Sequence, residues 1–273
     1  MITLVGLGNT GTKIVEKLSI YEQYNIVTLD SGKEIKHYNA PEEYEKKCPS
    51  LKKHFKKLGD EVYLFLSASG NISGASLRIL EQLKEYKTSV VCISSDPITL
   101  SSVGKLQQNL VTGVLQEYAR SGLLESLYLL DNSMIEDSLV DVSIDNYWEE
   151  INNTIAYLFH INMFFSNSKP DFSLGENDTG IASIKTFGLM KNEEKKMLYK
   201  LKHITNEKYF LSYDKNNQKK VLQTAKKMLV NNNIKTGVFL YKSSSNEETS
   251  YFESATHIVQ TVEEENGEDK TEK

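Results

Sequence analysis

The sequence predicts an α/β fold with a mainly parallel sheet, and two patterns carry that prediction. Five short apolar runs recur along the first 130 residues, and segments with helical spacing lie between them. Strands that alternate with helices in this way pair in parallel, with helices on both faces of the sheet. We expect such a sheet, then a long central helix, then a smaller α+β domain.

The predicted strands are apolar runs bounded by polar or turn-forming residues. They cover residues 2–5, 25–29, 62–66, 89–93 and 127–130. Helical stripes are found at residues 14–18, 77–83 and 103–119. In the last of these helices, the apolar side chains predicted to face inward are Leu106, Leu110, Val114 and Leu115. Ligands of such sheets bind at the carboxyl ends of the strands, so a site is expected in the loops there.

The longest helical pattern in the chain covers residues 144–166 and becomes apolar on most faces. A helix of that kind is buried between two bodies. The sequence then alternates again, with strand patterns at 181–187, 209–213, 237–241 and 256–261 and a helix pattern at 221–230. The predicted domains are a nucleotide-binding domain at 1–166, an α+β domain at 167–262 and a disordered acidic tail at 263–273.

Composition excludes several classes of protein. No apolar stretch reaches the roughly 20 residues of a bilayer helix, and Met1 leads directly into a strand pattern rather than a signal peptide. We therefore expect a cytoplasmic protein without membrane insertion. The histidines and cysteines lack metal-ligand spacing, so no metal site is predicted. Only Arg78 and Arg120 are arginine, which argues against sequence-specific nucleic-acid binding.

The formal net charge of −5 is concentrated in the tail. Residues 263–273 contain six acids and two lysines, whereas residues 1–262 contain 31 acids and 30 bases. Two interpretations of the tail stay open: a solubilising terminus, and a segment that attracts a basic partner. The nearly neutral body is compatible with self-association.

The segment Gly6-Leu7-Gly8-Asn9-Thr10-Gly11 has the G-x-G-x-x-G pattern between a strand and a helix. Such glycines let the backbone approach a phosphate, and the helix N-terminus offers free N–H groups. Asp30 ends the second strand, where a dinucleotide enzyme would bind a ribose hydroxyl. The alternative is that the glycines only form a tight turn.

A second loop of small residues, 67–74, follows the third strand and adds anion-binding capacity at the same sheet edge. Later strand and helix patterns include Tyr128-Leu129-Leu130-Asp131-Asn132 and a long helix with Trp148 and Asn152. In this order and spacing, residues 1–190 resemble the tubulin and FtsZ superfamily of polymerising GTPases, and the remainder to 262 does so more loosely.

The resemblance implies GTP or GDP as ligand, with or without Mg²⁺, and a head-to-tail homopolymer. It places two sets of loop residues against the phosphates: Gly8, Asn9, Thr10 and Gly11, then Gly70, Asn71, Ser73 and Gly74. Asn152 matches the family asparagine that hydrogen-bonds guanine, and Trp148 one turn earlier is placed to stack on the base. A core anchor is the competing interpretation of Trp148.

The family completes hydrolysis with acidic residues on the loop after the central helix, which reach the nucleotide of the next subunit. This chain keeps Asp171 there, with Glu176 displaced from the second acidic position, and its second loop has lost most family glycines. Hydrolysis is therefore expected to be slow or lost. The alternatives are an NAD(P)-dependent oxidoreductase that uses Asp30, and a structural protein of this fold without nucleotide.

Overall fold

The computed structural model describes residues 1–139, 143–176, 182–191, 194–230, 233–243 and 250–260. The strands within these ranges are β1 (Ile2–Leu7), β2 (Tyr24–Leu29), β3 (Glu61–Ser67), β4 (Lys87–Ser94), β5 (Ser126–Asp131), β6 (Phe172–Gly175), β7 (Ile184–Lys191), β8 (Glu194–Met197), β9 (Asn206–Tyr213), β10 (Lys235–Lys242) and β11 (Ser250–Thr256). The α-helices there are α1 (Gly8–Lys17), α2 (Pro41–Lys46), α3 (Ser76–Gln82), α4 (Ser102–Arg120), α5 (Asn132–Ser138), α6 (Tyr147–Asn167) and α7 (Gln218–Met228).

The strands form one sheet in the order β2-β1-β3-β4-β5-β7-β11-β9-β10-β6, and β8 pairs with β7. The five strands of the amino-terminal part are all parallel. From β1 the chain winds to β2 on one side, whereas β3, β4 and β5 follow on the other. The carboxyl ends of β1 and β3 therefore flank the switch point, where sheets of this kind open a ligand crevice. The predicted mainly parallel α/β fold is confirmed.

Helices cover both faces of this sheet because side chains alternate along each strand. Leu64 and Leu66 of β3 pack in the cluster that contains Ile79 of α3 and Leu115 of α4. Phe65, between them, packs in the cluster that contains α1 and α6. Two apolar layers thus enclose the strands whose ends form the crevice.

The sheet continues from the amino-terminal part into the carboxyl-terminal part through a short contact. Leu127 of β5 pairs with Ile184 of β7, and Tyr128 pairs with Lys185. Beyond β7, strand β11 lies between β7 and β9 and is antiparallel to both. The predicted strand at 256–261 is wrong, because β11 ends at Thr256. Its buried residues include Glu253 and Ser254, so an apolar pattern does not mark it.

Helix α6 is the predicted central helix, with its first regular turn at Tyr147 after a short 3-10 turn. Its middle packs on the amino-terminal sheet through Phe159, whose ring centroid is 4.9 Å from that of Phe65. Its carboxyl end packs on the other part of the molecule, where the Tyr241 hydroxyl donates to the Phe165 carbonyl at 2.8 Å. The helix therefore contacts both parts of the molecule along its length.

The inward face predicted for α4 is wrong for Leu106, Leu110 and Val114, which are 60%, 55% and 36% exposed. The helix instead buries Gln108 and Gln116 beside Leu115. Both side-chain amides form hydrogen bonds with the backbone: Gln108 with that of Ser95, and Gln116 with that of Gln260.

No helix in the described part of the chain is long and apolar enough to cross a membrane. The acidic tail at 263–273 lies outside the described residues.

Candidate nucleotide site

The glycine turn after β1 leads directly into α1. Gly8 is the first helical residue and has a φ of +70°, a conformation that glycine adopts without strain. No side chain caps this end of α1, and its first turn contains no acidic residue. The first N–H groups of a helix have no partner within the helix, and they favour an anion. Asn9 is exposed and Thr10 half-buried at this end.

The outer glycines of the pattern permit close packing of α1 on the sheet. A Cβ atom on Gly11 would overlap the Phe65 carbonyl oxygen of β3, and one on Gly6 would lie 2.6 Å from the Gly11 carbonyl carbon. Gly6 and Gly11 therefore set how near the helix lies to β1 and β3. Gly8 alone among the three has the turn conformation, so it controls how the backbone enters the helix.

The second loop lies against the first. A Cβ atom on Gly8 would lie 2.6 Å from Cγ2 of Ile72, so the two loops are in contact at the switch point between β1 and β3. Gly70 has open space around it, since a Cβ atom there would lie 3.8 Å from its nearest neighbour, the Ser67 carbonyl oxygen. Gly70 is therefore the residue of this loop where a ligand could approach the backbone without hindrance.

The other predicted residues of the second loop have contacts within the protein. The Asn71 amide donates to the Asn39 carbonyl at 2.9 Å, and the Ser73 hydroxyl donates to the Ala68 carbonyl at 3.0 Å. Ser73 is fully buried, and Gly74 packs against the Pro41 carbonyl. These residues hold the loop in shape.

Trp148 and Asn152 lie on one face of α6 and line a cavity of about 380 Å³ between α6 and α1. Lys13, Glu16 and Lys17 of α1 form the facing wall. Trp148 is 60% exposed, so its interpretation as a core anchor is wrong, whereas Asn152, which also lines the cavity, is buried. An exposed indole beside a buried amide can receive a planar heteroaromatic ring, with stacking on one and hydrogen bonds to the other.

Two contacts fix the amino end of α6 around this cavity. Lys17 Nζ lies 3.3 Å from a carboxylate oxygen of Glu149. The Tyr147 hydroxyl donates to Glu136 of α5 at 2.7 Å. Burial, and then the bond to Glu136, raise the pKa of Tyr147 to about 12, so the hydroxyl keeps its proton at neutral pH.

Asn132 is a candidate that the sequence pattern did not single out. It begins α5 at the carboxyl end of β5, and its Oδ1 atom is buried with no hydrogen-bond partner in the described structure. A buried acceptor without a partner costs about 1–3 kcal/mol, which a bound donor would recover. The signal in the sequence is an asparagine placed directly after a strand that ends at the same sheet edge as β1 and β3.

Asp171 and Glu176 lie far from these residues within the same subunit. Asp171 follows α6, whose 21 residues span about 30 Å from the end that carries Trp148. Its carboxylate accepts the Lys242 N–H at 2.7 Å.

Strand β6 separates the two acids, so they are on the order of 16 Å apart. Glu176 lies 3.9 Å from Lys235 Nζ. The structure therefore does not bring Asp171 and Glu176 to one water molecule.

The doubly wound amino-terminal sheet, the central helix and the mixed sheet beyond it define a class of α/β protein. Within that class the chain has the tubulin/FtsZ fold. It superposes on an FtsZ dimer structure from M. jannaschii with a TM-score of 0.70 at 9% identity, covering 93% of this chain and 88% of that one.

Two further solved structures are similar over comparable lengths. CetZ2 of Haloferax volcanii, a GTPγS-bound protofilament, gives a TM-score of 0.66 at 12% identity over 93% of this chain and 92% of that one. TubZ of Bacillus thuringiensis serovar israelensis, as GDP-form protofilaments, gives 0.67 at 13% identity over 93% and 83%. No protein-family model matches the chain, and no curated protein sequence matches it. The likeness lies in the fold.

Proposed function

We propose that this protein binds a guanine nucleotide between its two loops and α6, and assembles head to tail into filaments with slow or no hydrolysis of GTP. The observation that carries the proposal is one convergence. The uncapped amino end of α1 lies at Gly8, and the wall that α1 gives to the Trp148–Asn152 cavity begins at Lys13, about 8 Å further along the helix axis. One nucleotide can therefore place its phosphates at the helix end and its base in the cavity. The nucleotide-bound filaments formed by proteins of this fold support it.

The phosphate end of the site would be the turn at Gly8, Asn9, Thr10 and Gly11, together with Gly70. Free N–H groups of α1 would donate to phosphate oxygens, and the helix dipole adds to the attraction. Mg²⁺ would then be held mainly by phosphate oxygens and water. Asn71, Ser73 and Gly74 would act indirectly, by fixing the loop.

The base end would be Asn152 with Trp148, and Asn132 where its free acceptor faces the ligand. Guanine presents N–H donors beside a carbonyl acceptor, and a side-chain amide can match both. Adenine presents the reverse order, an N6–H donor beside the N1 acceptor, so a buried amide held in one orientation, such as Asn152, would discriminate between them.

Hydrolysis would depend on Asp171 of a neighbouring subunit, because the length of α6 separates it from the site in its own subunit. Glu176 lies 3.9 Å from Lys235 Nζ at the other end of β6, so it does not supply a second carboxylate beside Asp171. A positioned general base contributes about 10²–10⁴-fold, so the loss of one acid fits slow turnover.

The oxidoreductase alternative is not favoured. The Asp30 carboxylate accepts the Ser31 N–H at 2.8 Å and lies 3.8 Å from Lys33 Nζ. It therefore stabilises the turn after β2, which does not favour a role in binding a ribose.

Ligand-dependent melting of the full chain tests the proposal. GTP and GDP should raise the melting temperature, whereas ATP and NAD should not. Asn152→Ala should weaken GTP binding about tenfold or more, because one buried hydrogen bond to the base is lost. Asn153→Ala is the matched control, since Asn153 is the exposed neighbour on the same helix. No shift with guanine nucleotides, or equal effects of the two variants, would refute the site.

A further inference from the structure

Charge is distributed unevenly between the two parts of the molecule. Residues 1–181 contain 16 bases and 24 acids, a net charge of −8. Residues 182–260 contain 14 lysines and seven acids, a net charge of +7. The two parts of the near-neutral body therefore carry opposite net charges, and such asymmetry helps to orient molecules that approach one another.

Four exposed lysines lie at the end of the molecule where α6 stops. We call this the lysine end, and it comprises Lys169, Lys215, Lys219 and Lys242. Lys242 closes β10, and its N–H bonds Asp171, two residues beyond Lys169. Lys242 also pairs with Tyr213, after which the chain turns through Lys215 into the first turn of α7 at Lys219.

Asp214 and Asp171, the carboxylates beside these lysines, already accept hydrogen bonds from backbone N–H groups. Asp214 accepts the N–H groups of Asn216 and Asn217 at 2.7 and 2.9 Å. Asp171 accepts that of Lys242. All four side chains of the lysine end are exposed, so this end presents net positive charge to solvent.

Acidic side chains gather at the opposite end, around the carboxyl ends of β4 and β5. This acidic edge comprises Asp96, Glu136, Asp137 and Asp145. Asp96 follows β4, Glu136 and Asp137 lie on α5, and Asp145 lies in the 3-10 turn before α6. Lys196 also reaches this edge, where it donates to the Asp137 carbonyl.

Each end also exposes large apolar side chains. Ile98 and Ile144 beside the acidic edge are 90% and 94% exposed. Phe172, which follows Asp171 at the lysine end, is 51% exposed. An apolar centre with a charged rim is the usual composition of a specific protein interface.

We propose that the lysine end of one molecule docks on the acidic edge of a second copy of this chain, and that this charge complementarity sets the polarity of assembly. The inference rests on the proposed function, because the partner is the next subunit of the filament. A heterologous contact between opposite ends repeats without closing, which extends into a linear polymer. Opposite charges at the two ends favour head-to-tail contact and oppose head-to-head contact.

Light scattering of the full chain with GTP, in low and high salt, tests this inference. The critical concentration should rise on the order of tenfold between about 0.1 M and about 1 M KCl, where the screening length falls from about 10 Å to about 3 Å. Polymer that ignores salt would overturn the electrostatic docking and leave the proposed function standing. Failure to assemble in any salt would overturn both.

Charge reversal identifies the surfaces. Lys219→Glu should raise the critical concentration about tenfold, whereas Lys226→Glu should change it less than about twofold. Both lysines are exposed on α7, and Lys226 lies two turns away from the lysine end. Circular-dichroism melting should be unchanged in both variants. Equal effects of the two substitutions would contradict the assignment.

A swap of charge at both ends gives the decisive comparison. Lys215→Glu with Lys219→Glu should prevent assembly, and so should Asp137→Lys with Asp145→Lys. The variant with all four substitutions should assemble again within a few-fold of the wild-type critical concentration, because complementarity is restored. No recovery in a folded quadruple variant would overturn the inference.

Discussion

Gly8 and Ile72 join the two loops of the candidate site. Gly8 begins α1 with a φ of +70°, and the Cγ2 atom of Ile72 fills the space where a Cβ on Gly8 would lie. The conformation of the first loop and the position of the second are therefore coupled through this contact. A side chain at position 8 disturbs both.

Gly8→Ala should lower the free energy of unfolding by about 1–2 kcal/mol from the left-handed conformation alone, with the clash against Ile72 added. It should also weaken GTP binding, because the helix end shifts. Ile72→Ala in the same chain should relieve the clash and leave the strain, measured in a double-mutant cycle by denaturant unfolding. Gly113→Ala is the control, since open space surrounds Gly113 in α4. Equal stabilities of Gly8→Ala and Gly113→Ala would contradict the account.

Trp148 is the only tryptophan in the chain, so its fluorescence reports on the cavity directly. GTP should quench the emission in a saturable manner, because a base stacked on the indole replaces water at a side chain that is 60% exposed. ATP at the same concentration should leave the emission nearly unchanged. In Asn152→Ala the quenching should require about tenfold more GTP. Identical titrations with GTP and ATP would show that the cavity does not select guanine.

Asp171→Asn should slow phosphate release about 10²-fold or more if the wild type hydrolyses GTP, without weakening GTP binding to the isolated subunit. Asparagine keeps an oxygen that can accept the Lys242 N–H, so the loop should stay folded. Glu176→Gln should change turnover less than about twofold. Binding is measured by Trp148 quenching below the critical concentration. Weaker binding in Asp171→Asn would place this residue in its own subunit's site instead.

Glu253 is a buried carboxylate that joins three elements. The Tyr128 hydroxyl donates to it at 3.1 Å and the Asn162 amide at 3.4 Å, while Lys185 Nζ lies 3.3 Å away. Burial by itself raises the pKa of Glu253, but Lys185 and Lys208 together with these two bonds outweigh it and lower the pKa below 4.5. The carboxylate is thus charged in the fold and links β5, α6 and β7 to β11.

Because the pKa is lower in the folded state, Glu253 stabilises the fold above about pH 4.5, and this contribution is lost as the pH falls through the lowered value. Glu253→Gln should cost about 3 kcal/mol at neutral pH and reduce the loss of stability as the pH falls below about 4.5. Glu43→Gln is the control, because Glu43 pairs with Lys47 on the surface at 2.7 Å. Unfolding curves with equal acid dependence in both variants would contradict this role.

Much of the fold could be predicted from the sequence because the inner parallel strands β1, β4 and β5 are buried on both faces. Such strands are continuous apolar runs, and all five in the amino-terminal part lie where the pattern placed them. Strand β11 lies between two strands, yet its buried residues include Glu253 and Ser254, so it lacks the apolar pattern by which a strand is predicted. The prediction of the buried face of α4 was wrong for the same reason. Gln108 and Gln116 are polar but buried, and their amides form hydrogen bonds with backbone groups.

Residues of the candidate site could be predicted from the sequence only where they belong to a recognisable motif. The pattern of Gly8 and Gly11 and the spacing of Trp148 and Asn152 follow from the sequence, but their facing positions depend on how α6 crosses α1. The role of Asn132 could not be predicted, because only the folded structure shows that its Oδ1 atom is buried without a hydrogen-bond partner among the described residues. Asp171 and Glu176 are only five residues apart in the sequence, and only the structure shows that the extended strand β6 separates them.

Assembly of the wild-type chain with different nucleotides tests the central claim most directly. Light scattering at rising protein concentration should show a critical concentration with GTP or GTPγS, and negative-stain microscopy should show filaments there. ATP, or no nucleotide, should leave the protein unassembled at the same concentration. Scattering, filaments and melting temperature that are all indifferent to guanine nucleotide would contradict the account.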